Sequence, residues 1–140
     1  MTKAKARWVE GLQFVATAPS NHAIVLDGSA KAGAADSAIH PGELVLAGLA
    51  GCTGIDVVSI LEKMKVRLQE FEVRIEAEAA EDHPRWWKKI RVIYYAAGKD
   101  IPEDKLARAI ELSQAKYCSV SATLRNNVEI EYSHEIAQVE

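Results

Sequence analysis

Two stretches of the chain alternate between apolar and charged positions, which is the pattern of β-strands with one buried face. Over residues 68–80 the apolar side chains Phe71, Val73 and Ile75 are separated by glutamates and one arginine. Residues 86–96 continue this alternation after a turn at residues 82–84, which predicts an antiparallel hairpin. Three shorter strands are predicted before it, and a last strand after it, at residues 6–9, 13–16, 23–26 and 128–132.

The longest apolar segment predicts a helix over residues 41–64. Pro41 suits the first helical position, and Glu43 lies in the first turn, where the helix dipole favours an anion. Residues 44–61 carry one charge, Asp56, and are apolar on every side. Because Asp56 near the centre of a membrane span would cost about 2.5–3.5 kcal/mol, we expect a helix buried within a protein and no membrane partner.

Three glycines within this helix predict close packing against it. Gly48, Gly51 and Gly54 each cost the helix about 1 kcal/mol relative to alanine. A small sheet can cover only one side of an all-apolar helix, so a second copy of the chain is expected on the other side. The sequence therefore predicts a homodimer.

Two further helices complete the predicted order of elements. One begins at Pro102, and a short one follows over residues 119–124. The order is strands, long helix, hairpin, helix pair and strand, which is typical of an α+β fold and not of repeated βαβ units. We expect residues 1–140 to form a single domain.

Composition and charge exclude several classes of function. The net charge of −3 gives neither a basic footprint for nucleic acid nor a polybasic patch for a membrane surface. The charged N-terminus leads into no apolar segment typical of a signal peptide. Two cysteines are too few for a secreted disulfide framework, so we expect a cytoplasmic protein.

The two cysteines, Cys52 and Cys118, allow different interpretations. Both could be small buried apolar residues. A zinc site is disfavoured because there is no CxxC motif, and the histidines are scattered at His22, His40, His83 and His134.

Electrostatics alone do not decide which cysteine would be reactive. Cys118 precedes the short helix, whose free N–H groups would stabilise a thiolate. Cys52 lies about three turns into its own helix, beyond the range of that dipole, and Asp56 one turn later would raise its pKa. We therefore expect a cation from elsewhere to activate Cys52, with Arg7 and Lys31 as the candidates.

Two motifs resemble those of the osmotically induced/organic hydroperoxide resistance (OsmC/Ohr) superfamily. The first lies at the start and centre of the long helix, His40-Pro41-Gly42-Glu43-Leu44 and Gly51-Cys52-Thr53-Gly54-Ile55-Asp56. The second surrounds the other cysteine, Tyr117-Cys118-Ser119-Val120-Ser121-Ala122-Thr123-Leu124. The resemblance implies an α+β fold with antiparallel sheets around a long buried central helix, in an intertwined homodimer.

The same resemblance implies a cysteine-based peroxidase without metal or cofactor. Cys52 would attack an organic hydroperoxide and become a sulfenic acid, and Cys118 would close a disulfide that an external dithiol reduces. The family places a glutamate and an arginine beside the reactive cysteine. The candidates here are Glu43, one position after the residue that matches the family glutamate, and Arg7. The alternative is a non-catalytic module that binds an apolar ligand in the dimer cleft and has structural cysteines.

Overall fold

The computed structural model describes residues 1–140, and it confirms the α+β class with two three-stranded sheets and one long helix. The chain forms two compact units, residues 1–45 and 46–140.

The first unit contains an antiparallel meander of β1 (Lys5–Glu10), β2 (Gln13–Thr17) and β3 (Ala23–Leu26). The loop after β3 contains a short 3-10 turn and is held by the buried Asp27. The Asp27 carboxylate accepts hydrogen bonds from the hydroxyl and backbone N–H of Ser37 (2.6 and 3.0 Å) and from the backbone N–H of Gly28 (2.7 Å). These bonds, from Ser37 above all, lower the pKa of Asp27.

The long helix α1 (Pro41–Lys63) begins with a cap made by Glu43. The Glu43 carboxylate accepts a hydrogen bond from the backbone N–H of His40 at 2.9 Å, as in a capping box. The His40 ring lies between Asp36 (2.7 Å) and Glu43 (3.2 Å), and the hydrogen bond with Asp36 raises the pKa of the imidazole. Glu43, which was predicted from the sequence as a catalytic residue, therefore caps the N-terminus of α1.

The second unit contains a mixed sheet of β4 (Glu70–Ala79), β5 (Trp87–Gly98) and β6 (Glu129–Gln138). Strands β4 and β5 form the predicted antiparallel hairpin, but β6 runs parallel to β5. The expectation of antiparallel sheets is therefore wrong for this edge. A helical connection between β5 and β6 returns the chain to the end of the sheet where β5 began, and parallel strands require such a crossover.

That crossover consists of α2 (Glu103–Leu112), one turn of π-helix (Ser113–Tyr117) and α3 (Ser119–Leu124). The helices cover the face of the sheet that carries the buried side chains of Ile90, Val92 and Tyr94. The buried core of the unit combines α1, β5 and α2 residues, among them Leu49, Val57, Leu61, Ile90, Val92, Tyr94, Leu106, Ala109 and Ile110.

Within one chain, α1 is buried along a single face. Its buried residues recur every four positions, from Leu49 to Leu61, which is the period of one helix face. On another face Ile55 is 73% exposed, and a Cβ atom added to Gly48 or Gly51 would meet no atom within 4 Å. The helix is long and apolar enough to cross a membrane by length and composition, as core helices of soluble proteins also are.

Candidate functional site

The fold brings the two cysteines close together, where the junction between the π-helical turn and α3 packs against α1. Cys52 comes from α1, and Cys118 is the N-cap residue of α3. Their Sγ atoms and a carboxylate oxygen of Asp56 all lie within 4.8 Å of one another. Both cysteines are free thiols, Cys118 only 2% exposed and Cys52 partly exposed.

Local structure explains how three residues distant in sequence meet. Cys52 and Asp56 are four positions apart and therefore share one face of α1. The π-helical turn ends at Cys118, whose backbone N–H donates to the Ser113 carbonyl at 2.8 Å. The residue then takes an extended conformation, with φ −73° and ψ 103°, before α3 begins. Single π-turns of this kind often occur at functional sites.

A buried network of hydroxyl and amide groups fixes this junction against α1 and the sheet. Thr53 Oγ1 lies 2.6 Å from the Tyr94 hydroxyl and 2.7 Å from Ser113 Oγ. Gln114 Nε2 donates to the Tyr94 hydroxyl at 2.6 Å, and Ser113 Oγ donates to Asp56 Oδ2 at 2.9 Å. Breaking one such bond would leave a buried polar group without a partner, at a cost of about 1–3 kcal/mol. The network therefore orders both the carboxylate and the turn that carries Cys118.

The environment of Cys52 favours a thiolate. Burial alone raises the pKa of the Cys52 thiol, but four hydrogen bonds outweigh it. The sulfur accepts from the backbone N–H groups of Val120 and Ser119, from the Cys118 thiol and from the Ser119 hydroxyl, which lies at 3.8 Å. Hydrogen bonds to the charged form of an acid lower its pKa, so the pKa of Cys52 is below that of an ordinary cysteine.

The environment of Cys118, in contrast, favours the protonated thiol. Burial raises the pKa of its thiol to about 11, and the charges of Cys52 and Asp56 act in the same direction. The backbone N–H of Ser121 donates to Cys118 Sγ at 3.3 Å, which opposes this effect without overcoming it. Cys118 is therefore a protonated thiol near neutral pH.

These facts bear on two expectations about charge. The N–H groups at the start of α3 act on both sulfurs: that of Ser121 donates to Cys118 Sγ at 3.3 Å, as expected, and those of Ser119 and Val120 lower the pKa of Cys52. The causes that lower the pKa of Cys52 are hydrogen bonds from the Val120 and Ser119 backbone, the Cys118 thiol and the Ser119 hydroxyl. The charge of Asp56, expected to act on Cys52, raises the pKa of Cys118.

The other predicted site residues lie in the first unit. Arg7 lies in β1, opposite Val15 of β2, and Glu43 caps α1. Ser113, Gln114 and Ser119 also contribute to the site and were not among the predicted site residues. Their types gave little signal, since serine and glutamine near helix ends are common.

Two depressions lie along α1 on the second unit. One, of about 310 Å³, is lined by the apolar and aromatic side chains of Ile55, Ile60, Leu112 and Tyr117 and by the polar ones of Asp56, Ser59 and Lys63. The other, of about 550 Å³, lies between α1 and β4 and is lined mainly by small and apolar side chains. The first therefore offers a partly apolar surface next to the Asp56 carboxylate, an oxygen of which lies within 4.8 Å of both sulfurs.

A partly exposed thiol with a lowered pKa next to a buried thiol, on an α+β scaffold, defines a two-cysteine thiol protein. The family model described as OsmC-like protein matches residues 33–133. The chain therefore belongs to the OsmC-like family, as its two cysteine motifs indicated.

Comparisons with individual proteins agree with this assignment. The chain is 39% identical to Protein YhfA of Escherichia coli K12, over 96% of this chain and 97% of that protein. A hypothetical protein of Aquifex aeolicus VF5 has a similar structure, with a TM-score of 0.88, 24% identity and coverage of 100% and 98% of the two chains. An organic hydroperoxide resistance protein OsmC of Legionella pneumophila shares the fold with a TM-score of 0.71 and 18% identity, over 96% of each chain.

Proposed function

We propose that the chain reduces organic hydroperoxides through Cys52 and Cys118. The observation that carries the proposal is the contact between a thiol of lowered pKa and a protonated thiol, with sulfur atoms within 4.8 Å. Family membership supports it, since the Legionella pneumophila protein is described as a predicted redox protein for organic hydroperoxide resistance.

The proposed reaction has three steps. The Cys52 thiolate attacks the outer oxygen of the hydroperoxide, the O–O bond breaks, and the organic part takes up a proton and leaves as an alcohol. Cys52 is then a sulfenic acid, and attack by the Cys118 thiol forms the disulfide and releases water. An external dithiol gives two electrons and two protons to restore both thiols. The partly apolar depression next to Asp56 would accept the organic part of the substrate.

Thiol counting tests the proposal on the unmodified protein. Treatment of the reduced chain with cumene hydroperoxide should remove both thiols per chain, and dithiothreitol should restore them. Unchanged thiols would favour the alternative, in which the depression between α1 and β4 holds an apolar ligand without chemistry.

Ser119→Ala should shift the pH dependence of the peroxide reaction to higher pH. The substitution removes one of the hydrogen bonds that lower the pKa of Cys52, so a higher pH is needed to form the thiolate. At pH values where the thiolate is fully formed, wild type and variant should react equally fast. The measurement is the rate of peroxide consumption against pH.

Thr123→Ala is the matched control for that experiment. Thr123 also carries a hydroxyl in α3, but the hydroxyl donates to the Ser119 carbonyl. Its removal should leave the pH profile in place. A profile for Ser119→Ala that coincides with wild type would show that its hydroxyl does not act on the Cys52 thiolate.

Arg7 would assist the reaction as a cation that lowers the pKa of Cys52. Arg7→Ala should then slow peroxide consumption at neutral pH by about tenfold or more while leaving the dimer intact, because less of Cys52 is present as thiolate. Lys5→Ala, in the same strand, is the matched control. An unchanged rate for Arg7→Ala would remove Arg7 from the mechanism.

The proposal includes three partners and a compartment. A second copy of the chain would cover the exposed face of α1, a small apolar hydroperoxide would be the substrate, and an external dithiol would be the reductant. The requirement for reduced thiols fits the cytoplasm.

A further inference from the structure

The sulfur atoms of Cys52 and Cys118 and a carboxylate oxygen of Asp56 form a compact set of possible metal ligands, within 4.8 Å of one another. A tetrahedral zinc ion has Zn–S bonds of about 2.3 Å and Zn–O bonds of about 2.0–2.2 Å, which place neighbouring ligand atoms about 3.6–3.8 Å apart. Side-chain movements of about 1 Å or less would therefore bring the three atoms to bonding positions.

The way the fold supplies these ligands is also suited to a metal. Cys52 and Asp56 are four positions apart on α1, the spacing at which two side chains on a helix face can bind one ion. The third ligand, Cys118, comes from another element and is buried. The partial exposure of Cys52 leaves an open side, where water could occupy a fourth position.

Both Asp56 and Cys118 already have outer contacts that fix their orientation. The Ser113 hydroxyl donates to Asp56 Oδ2 at 2.9 Å, and the Ser121 N–H donates to Cys118 Sγ at 3.3 Å. Partners of this kind hold ligating atoms in place and raise metal affinity.

We propose that the reduced chain binds one zinc ion, or another divalent ion that prefers sulfur, through Cys52, Cys118 and Asp56. Each thiol that is protonated before binding releases its proton when its sulfur binds the ion. Two thiolates select zinc or cadmium over magnesium and calcium, which require oxygen ligands. The sequence predicted no metal because its spacing lacks a CxxC motif, whereas here the fold brings the ligands together.

Metal binding would also regulate the chemistry of the thiols, and this part rests on the proposed function. Bound zinc uses both sulfurs, so it should block attack on peroxide and formation of the disulfide. Oxidation to the disulfide should in turn abolish zinc binding.

Cobalt(II) provides a spectroscopic test on the reduced protein. Titration should produce a sulfur-to-cobalt charge-transfer band that saturates at one ion per chain and is lost on addition of zinc. Cys52→Ser and Cys118→Ser should each lose most of the band. Magnesium should not compete.

The Asp56→Asn variant tests the carboxylate. Asparagine keeps an oxygen that can accept from Ser113, so the fold should be retained, but the anionic ligand is lost. Cobalt affinity should fall about tenfold or more, since loss of even an outer contact of a metal ligand costs about 10–100-fold in affinity. Asp104→Asn, at an exposed acid of α2, should bind cobalt as wild type does. Equal affinity in Asp56→Asn and wild type, or saturation far from one ion per chain, would overturn the site.

Activity separates this inference from the proposed function. Zinc should stop peroxide consumption, and a chelator should restore it. Peroxide consumption without any cobalt band would overturn the metal site alone. A cobalt band with the expected variant pattern, in a protein that leaves peroxide untouched, would overturn the peroxidase proposal alone.

Discussion

Cys52→Ser is expected to abolish the reaction with organic hydroperoxide. A serine hydroxyl at this position has no nucleophilicity comparable with a thiolate, and the remaining thiol of Cys118 has a pKa of about 11 in a site where it is 2% exposed. Peroxide consumption should therefore fall to the rate without protein. Thiol counting on the variant after peroxide treatment should still find Cys118.

Cys118→Ser should behave differently and is the natural comparison. Cys52 keeps its hydrogen bonds from Ser119 and Val120, so it should react with one equivalent of peroxide and stop at a sulfenic acid that a dimedone reagent traps. Reducible turnover should be lost, because no second thiol closes the disulfide. Reducible peroxide turnover at the wild-type rate in Cys118→Ser would exclude Cys118 as the resolving thiol.

The two variants also decide the order of events. From the sequence alone, Cys118 could also attack the peroxide first, because it lies at the start of a helix. Peroxide consumption by Cys52→Ser, with a trappable sulfenic acid on Cys118, would support that order. The pKa directions of the two thiols oppose it, since the accessible cysteine is the one that favours the thiolate.

The elements that depend on local pattern were predictable from sequence. The alternation of Phe71, Val73 and Ile75 with charged residues marks β4, and Pro41 marks the start of α1. The direction of β6 was not predictable, because it depends on the path of α2 and α3 across the sheet. Apolar periodicity also gives no signal for the π-helical turn at residues 113–117, which differs from an α-helix by a single extra residue per turn.

For the site, the sequence supplied the thiols but not their surroundings. The pairing of Cys52 with Cys118 was predicted from the motif resemblance, and the two sulfur atoms lie within 4.8 Å of each other. The donors that act on Cys52 belong to the backbone of Ser119 and Val120, and only tertiary packing brings a backbone N–H to a distant sulfur. The pattern of charged residues in the sequence therefore gives no signal for these donors.

The exposed face of α1 predicts that two chains associate into a homodimer. The depression of about 550 Å³ between α1 and β4 is lined by Gly51, Gly54, Ile55, Phe71 and Val73 among others. Small residues there leave room for another backbone to approach, and an isolated chain would expose this apolar surface to water. We therefore expect light scattering to give a mass near twice 15.3 kDa at micromolar concentration.

Ile55→Glu should convert that dimer into monomers. Ile55 is 73% exposed in one chain, so a glutamate is tolerated in the monomer, but in a symmetric dimer two unpaired carboxylates would be buried at once. The penalty is several kcal/mol for each buried charge, and a symmetric dimer would incur it twice. Tyr132→Glu, at an exposed position of the opposite edge strand β6, is the control and should remain a dimer. A wild-type protein that is monomeric and fully folded would contradict the dimer, and a dimer that survives Ile55→Glu would place the interface on another face of the chain.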